Sequence, residues 1–254
     1  MVIFYYVLIV IWWLKIFFGG QEVGLENYAF NFSYIFFNIT GGVSGLLIAK
    51  QKWGGFSSSI GRGLSYLGLG LLGQGFGLTV WTIYNLVLKV EIPYPSLADI
   101  GYFALIPFYT IAMYNFAHAS GAKFALRSLR GKLLAFVVPF VVLMLSYAFF
   151  IRDVGLDLND WVRSFFDIAY PAGEAISVSL GLLTYLLSRN LLGGRMKKYI
   201  EFVIFALAFQ YITEFTFLYT SGLGTYYNAG FVDLMYATSY FLMTVGLLRF
   251  RKID

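Results

Sequence analysis

Eight runs of roughly twenty apolar residues follow one another along this chain, separated by short polar turns. They lie at about 2–18, 28–49, 61–88, 99–117, 133–151, 161–188, 199–220 and 231–249. A helix of that length crosses the hydrocarbon core of a bilayer, so the runs predict eight transmembrane helices. Barrel strands are excluded, because the runs do not alternate every second residue. Soluble domains carry about 25% charged residues. This chain carries 12%, against 59% hydrophobic, too little to cover a soluble surface. The first run lacks a basic leader and a small-residue cleavage site, so it reads as a span and not a signal peptide. The expectation is an all-α integral membrane protein with one transmembrane domain over residues 1–254.

Charge orients the helices. Lys50, Lys52 and Arg62 follow the second run, Lys123, Arg127, Arg130 and Lys132 the fourth, and Arg189, Arg195, Lys197 and Lys198 the sixth. Arg249, Arg251 and Lys252 follow the eighth, so fourteen of 18 basic residues lie on one side. The alternate turns hold Glu22, Glu26, Glu91, Asp153, Asp157 and Asp160. The positive-inside rule then predicts that both termini are cytoplasmic. The net charge of +5 is a consequence of this asymmetry. It is scattered over four short segments and does not indicate nucleic-acid binding.

An internal period runs through the chain. "DIGY" at Asp99–Tyr102 recurs as "DIAY" at Asp167–Tyr170 and "DLMY" at Asp233–Tyr236, with "NFSY" at Asn31–Tyr34 as a weaker copy. Trp13, Trp81, Phe149 and Phe217 keep a spacing of 68, and Gln74 and Gln210 stand two periods apart. These coincidences predict four parallel helical hairpins of about 68 residues, over approximately 1–54, 55–122, 123–190 and 191–254, around an axis along the membrane normal.

Within "PYPSLADIGYF", Ser96 and Asp99 form a capping-box pattern, and capping alone accounts for them. More is expected of Asp99 only if it meets Asn31, Asp167 and Asp233 around a common space. Glu174 and Glu214 lie deeper in their helices, where an ionisable group is costly and faces a bundle interior or a cavity. Arg163 stands one turn from Asp167. The expected ligand-binding set is Asp99, Asp167, Glu174, Glu214 and Asp233, with Gln74, Gln210, Tyr102, Tyr170, Tyr236 and Trp81. Tyrosines one turn below each acid offer hydroxyls to it and rings to a ligand. Pro107, Pro139 and Pro171 lie inside spans, and Gly73/Gly77 make a GxxxG face for close helix approach.

Several chemistries find no residues. There is no cysteine and one histidine, His118, so cysteine or histidine metal sites are excluded and no metal or cofactor is expected. No lysine sits mid-span for a retinal Schiff base, and there is no P-loop, HExxH, GxSxG or Ser–His–Asp set. No catalytic residue is assigned, and an enzyme is not expected.

The segment "GQGFGLTVWTIYNLVLKVEIPYPSLADIGYFALIPFY" (Gly73–Tyr109) resembles the amino-terminal membrane regions of bacterial GGDEF/EAL diguanylate cyclases and phosphodiesterases. "DIAYPAGEAI" resembles their later "YP-x-G-D" helix, with Glu174 in place of Asp. The last hairpin is similar too, with Glu214 where Asp is common. The resemblance implies a sensory input module in a prokaryotic plasma membrane. The chain stops at Asp254 with no output domain after the eighth span, so either a separate cytoplasmic signalling partner or another use of the fold is expected. The expected function is receptor-like binding of a small, lipidic or ionic ligand in an outward-facing acidic and aromatic pocket. A cation or proton transporter or channel, and a non-catalytic scaffold, are the alternatives. The bilayer is the remaining partner.

Overall fold

The computed structural model describes residues 1–19, 24–90, 92–152, 158–188 and 195–252. Glu22, Glu91, Asp153, Asp157 and Arg189, expected in the turns, lie outside the described residues. Eight long helices account for nearly all of the described chain: α1 (Val2–Gly19), α2 (Leu25–Lys52), α3 (Ser59–Leu88), α4 (Leu97–Ala119), α5 (Leu129–Ile151), α6 (Trp161–Ser188), α7 (Arg195–Gly222) and α8 (Phe231–Arg249). No strand occurs among the described residues. Seven of these helices are long and apolar enough to cross a membrane. The other, α6, has 28 residues and the length to do so, but it carries Arg163, Asp167 and Glu174.

Local signals set the helix ends. Ser58 and Ser128 cap α3 and α5, their hydroxyls accepting from the amides of Gly61 and Gly131 at 2.9 and 3.0 Å. At α4 the Asp99 carboxylate accepts from the Ser96 amide at 2.7 Å, while Ser96 Oγ accepts from Ala98 N at 3.2 Å. The helix α2 is interrupted once, at Tyr34. Both α3 and α5 finish in a π turn, Ile83–Leu88 and Tyr147–Ile151. Pro107, Pro139 and Pro171 all lie inside their helices.

Six helices close a ring in the order α2, α3, α4, α6, α7, α8, with α8 returning to α2. The other two stand outside it, α1 against α8 and the start of α2, and α5 against α6. They are the most apolar of the spanning helices and the least buried. A helix that is apolar all round suits a lipid environment.

Lipid tails are as apolar as leucine, so helices in a bilayer associate through close packing and not through apolar burial. Glycine makes that closeness. A Cβ at Gly101 would stand 2.4 Å from the carbonyl oxygen of Gly73 and 2.6 Å from the amide nitrogen of Gly77. One at Gly42 would stand 2.8 Å from the Gly68 carbonyl across the α2–α3 seam.

The middle of the ring is apolar, with Leu64, Leu67 and Leu71 of α3, Met113 and Phe116 of α4, Val203 and Leu207 of α7, and Met243 and Leu247 of α8 all buried. Phe250 plugs the end where the basic residues gather. It is fully buried, with its ring beside Phe116, Tyr199 and Trp53, and its carbonyl accepts from Trp53 Nε1 at 3.2 Å. At that same end Arg62 donates to Asn115 Oδ1 at 2.8 Å, and the Arg249 guanidinium lies 3.8 Å from the centre of the Phe202 ring.

Candidate functional site

The opposite end of the ring holds a cavity of about 460 Å³. All six ring helices contribute to its wall, together with the 92–96 turn, Tyr226 and the end of α5. Asn31 and Tyr34 come from α2, Gln74 and Trp81 from α3, and Asp99 and Tyr102 from α4. The helix α6 brings Asp167, Tyr170 and Glu174, α7 brings Glu214, and α8 brings Asp233 and Tyr236. Asp99 thus shares one space with Asn31, Asp167 and Asp233. Of the side chains expected from the sequence to form a site, Gln210 alone stands outside the wall. It is buried behind Glu214, to which its Nε2 donates at 2.7 Å, and it accepts from Ser239 Oγ.

Tyrosine hydroxyls satisfy most of the carboxylates, each reaching across from another segment. Tyr170 of α6 donates to Asp99 Oδ1 at 2.8 Å, and Tyr94 of the preceding turn donates to Asp167 Oδ1 at 2.9 Å. Tyr236 of α8 donates to Glu214 Oε2 at 2.7 Å. Asp233 receives Tyr226 at 3.2 Å and Tyr34 at 3.4 Å. None of these bonds joins a tyrosine to the acid one turn above it in its own helix. The phenol is long and stands off its helix, so it meets the next element instead. Tyr102 has another role, because its ring packs against Gly77, where a Cβ would stand 2.5 Å from ring carbons.

Backbone geometry is adjusted to hold Asp233. Ala229 has φ 59°, a left-handed conformation that costs a non-glycine residue energy. Its amide donates to Asp233 Oδ2 at 2.6 Å. The same turn is pinned by Asn27 Nδ2, which donates to the Asn228 carbonyl at 2.9 Å, and by Asn31 Nδ2, which donates to Asn228 Oδ1 at 3.0 Å. Trp13 Nε1 donates to the Gly230 carbonyl at 3.0 Å.

Glu174 is the exception among the acids. It is only 6% exposed, and no donor reaches its Oε2. Asn31 Oδ1, also buried, likewise lacks a partner. Among the described residues no Lys, Arg or His side chain lines the cavity. Arg163 lies 3.8 Å from Asp167, with its own side chain 61% exposed. Among the described residues no three His, Cys, Asp or Glu side chains converge as the ligands of a metal ion would.

Among the wall contributions not expected from sequence are Tyr94, Tyr226 and the end of α5. Tyr94 lies inside the "PYPSLADIGYF" segment, but its reach to α6 depends on the ring order. Burial first, then its bond to Asp167, hold its phenol well above the usual tyrosine range, so it remains a donor. Tyr226 gains its position from the 223–230 turn. Ser146 and Phe150 come from α5, which closes the gap between α6 and α7 from outside. Ser146 Oγ lies 3.0 Å from Tyr211 OH, and the Phe150 ring centre is 4.5 Å from that of Phe215.

Together these features define an integral membrane helical bundle with an acidic and aromatic cavity at one end and a largely apolar core beneath it. No known protein family matches the chain, and neither does any curated protein or any solved structure.

Proposed function

We propose that this chain is a receptor-like membrane protein that binds a small, lipidic or ionic ligand in the cavity. In this reading the cavity faces outward, both termini and the basic face are cytoplasmic, and a separate cytoplasmic partner takes up the signal through small helix shifts. The observation that carries the proposal is the convergence of five acids from four helices on one space of small-molecule size. The apolar layers beneath it, from Leu71 and Met243 down to Phe250, favour a blind pocket over a conduction path. The side given to the basic face rests on the distribution of Lys and Arg. The sensory assignment rests on the resemblance of Gly73–Tyr109 to GGDEF/EAL input regions.

The same reading treats the chain as four duplicated hairpins. The ring order accords with a repeat of four helices, because α2–α3–α4 and α6–α7–α8 follow the same path with α1 and α5 outside, and the hairpin unit rests on the 68-residue spacing alone.

Native mass spectrometry of the full-length chain released from its membrane in mild detergent tests the proposal. A molecule should be found bound to the unaltered protein and lost from Leu78→Trp, which fills the cavity. A chain that carries nothing, and instead moves cations across proteoliposome membranes, would be a transporter.

A further inference from the structure

We propose that the occupant of the cavity is an organic cation, with an ammonium or amidinium head that pairs with Glu174 and an apolar body that lies along the aromatic wall. This rests on the reading of the cavity as a ligand site and specifies its chemistry. Among the described residues, two buried acceptors of the wall stand without a donor. Asp99, Asp167, Glu214 and Asp233 already receive tyrosine hydroxyls. Glu174 Oε2 and Asn31 Oδ1 receive nothing. Leaving a buried acceptor empty costs about 1–3 kcal/mol, and more for a charged group, so a donor supplied by a ligand has a large effect here.

Charge narrows the class. Five carboxyl groups share the wall, no basic side chain among the described residues lines it, and Arg163 pairs with Asp167 alone, so an anionic head such as a fatty acid carboxylate is repelled. Size and geometry narrow it further. A bare metal ion needs several ligands close together, and among the described residues no three His, Cys, Asp or Glu side chains stand close enough to hold one. The cavity, at about 460 Å³, has room for a small organic molecule. Trp81, Tyr102, Tyr211 and Phe215 present rings to the space. Aromatic faces attract ammonium groups, most strongly where water is excluded.

The test uses the full-length chain in phosphatidylcholine nanodiscs and isothermal titration with three probes of one shape: phenethylammonium, 2-phenylethanol and 3-phenylpropionate. Phenethylammonium should bind at least about tenfold more tightly than the alcohol, and the carboxylate most weakly. Glu174→Gln should reduce the preference for amine over alcohol to about twofold or less. The probe comparison on the unaltered chain decides the class even if that variant fails to fold. Equal or tighter binding of the alcohol or carboxylate would overturn the cationic class and leave a ligand site standing. A preference that survives in a folded Glu174→Gln would overturn the assignment to Glu174. If no probe binds and the chain released from its membrane carries no molecule, this inference and the receptor reading both fail.

Discussion

Along the α3–α4 seam, Gly73, Gly77 and Gly101 bring two helix backbones together with no room for a methyl group. Between α6 and α7, at the depth of the cavity, Glu174 and Glu214 stand at the seam and α5 fills the outer gap with Ser146 and Phe150. The first seam supplies the packing that holds helices together in lipid. The second keeps polar groups within reach of one another and leaves space between them. The comparison teaches that the two halves of the ring divide the work. One half packs backbone to backbone at its glycines, and the other carries four of the five acids.

Substitutions on the two seams can break that comparison. Gly101→Ala should have the largest effect, costing about 3 kcal/mol, because the added carbon meets backbone that cannot step aside. Thermal unfolding in detergent measures it. Next comes Asp233→Ala, which strands the Ala229 amide and two tyrosine hydroxyls at a fully buried position and should cost about 2 kcal/mol by the same measurement. Tyr170→Phe removes one bond to Asp99 and should cost about 1 kcal/mol. Gly181→Ala on α6 should cost about 1 kcal/mol, well below Gly101→Ala, because its added carbon meets side chains and no backbone. Its Cβ would meet the end of the Leu207 side chain, which can rotate away. Equal losses in Gly101→Ala and Gly181→Ala would dissolve the distinction between the seams.

Much of the architecture was legible in the sequence. Length and apolarity placed the helices, and the Ser96–Asp99 pattern marked the start of α4. The sequence also held a signal for the outer helices, because α1 and α5 are the most apolar runs and lipid-facing helices need no polar side. The order of helices around the ring was not legible, since it depends on which glycine faces meet. The partners of the acids followed from that order. Tyr170 reaches Asp99 only because α6 packs against α4, and Tyr34 reaches Asp233 only because α8 closes on α2. Gln210 matched Gln74 in spacing but not in position. Gln74 reaches the cavity wall and donates to Tyr240 OH at 2.6 Å, whereas Gln210 turns its amide to Glu214 from behind.

The central claim is that one end of the bundle holds a cation-attracting cavity and that the core below it is sealed. The chain has no cysteine, so a single introduced thiol reports only its own site. Leu78 lines the cavity, and Leu71, seven residues earlier on α3, is fully buried in the apolar core. In proteoliposomes of one orientation, Leu78→Cys should react with membrane-impermeant methanethiosulfonates from one face only. The trimethylammonium reagent should be faster than the sulfonate by about tenfold or more. Leu71→Cys should stay unmodified from both faces. Labelling of Leu78→Cys from both sides, ready labelling of Leu71→Cys, or a faster reaction with the sulfonate would contradict the account.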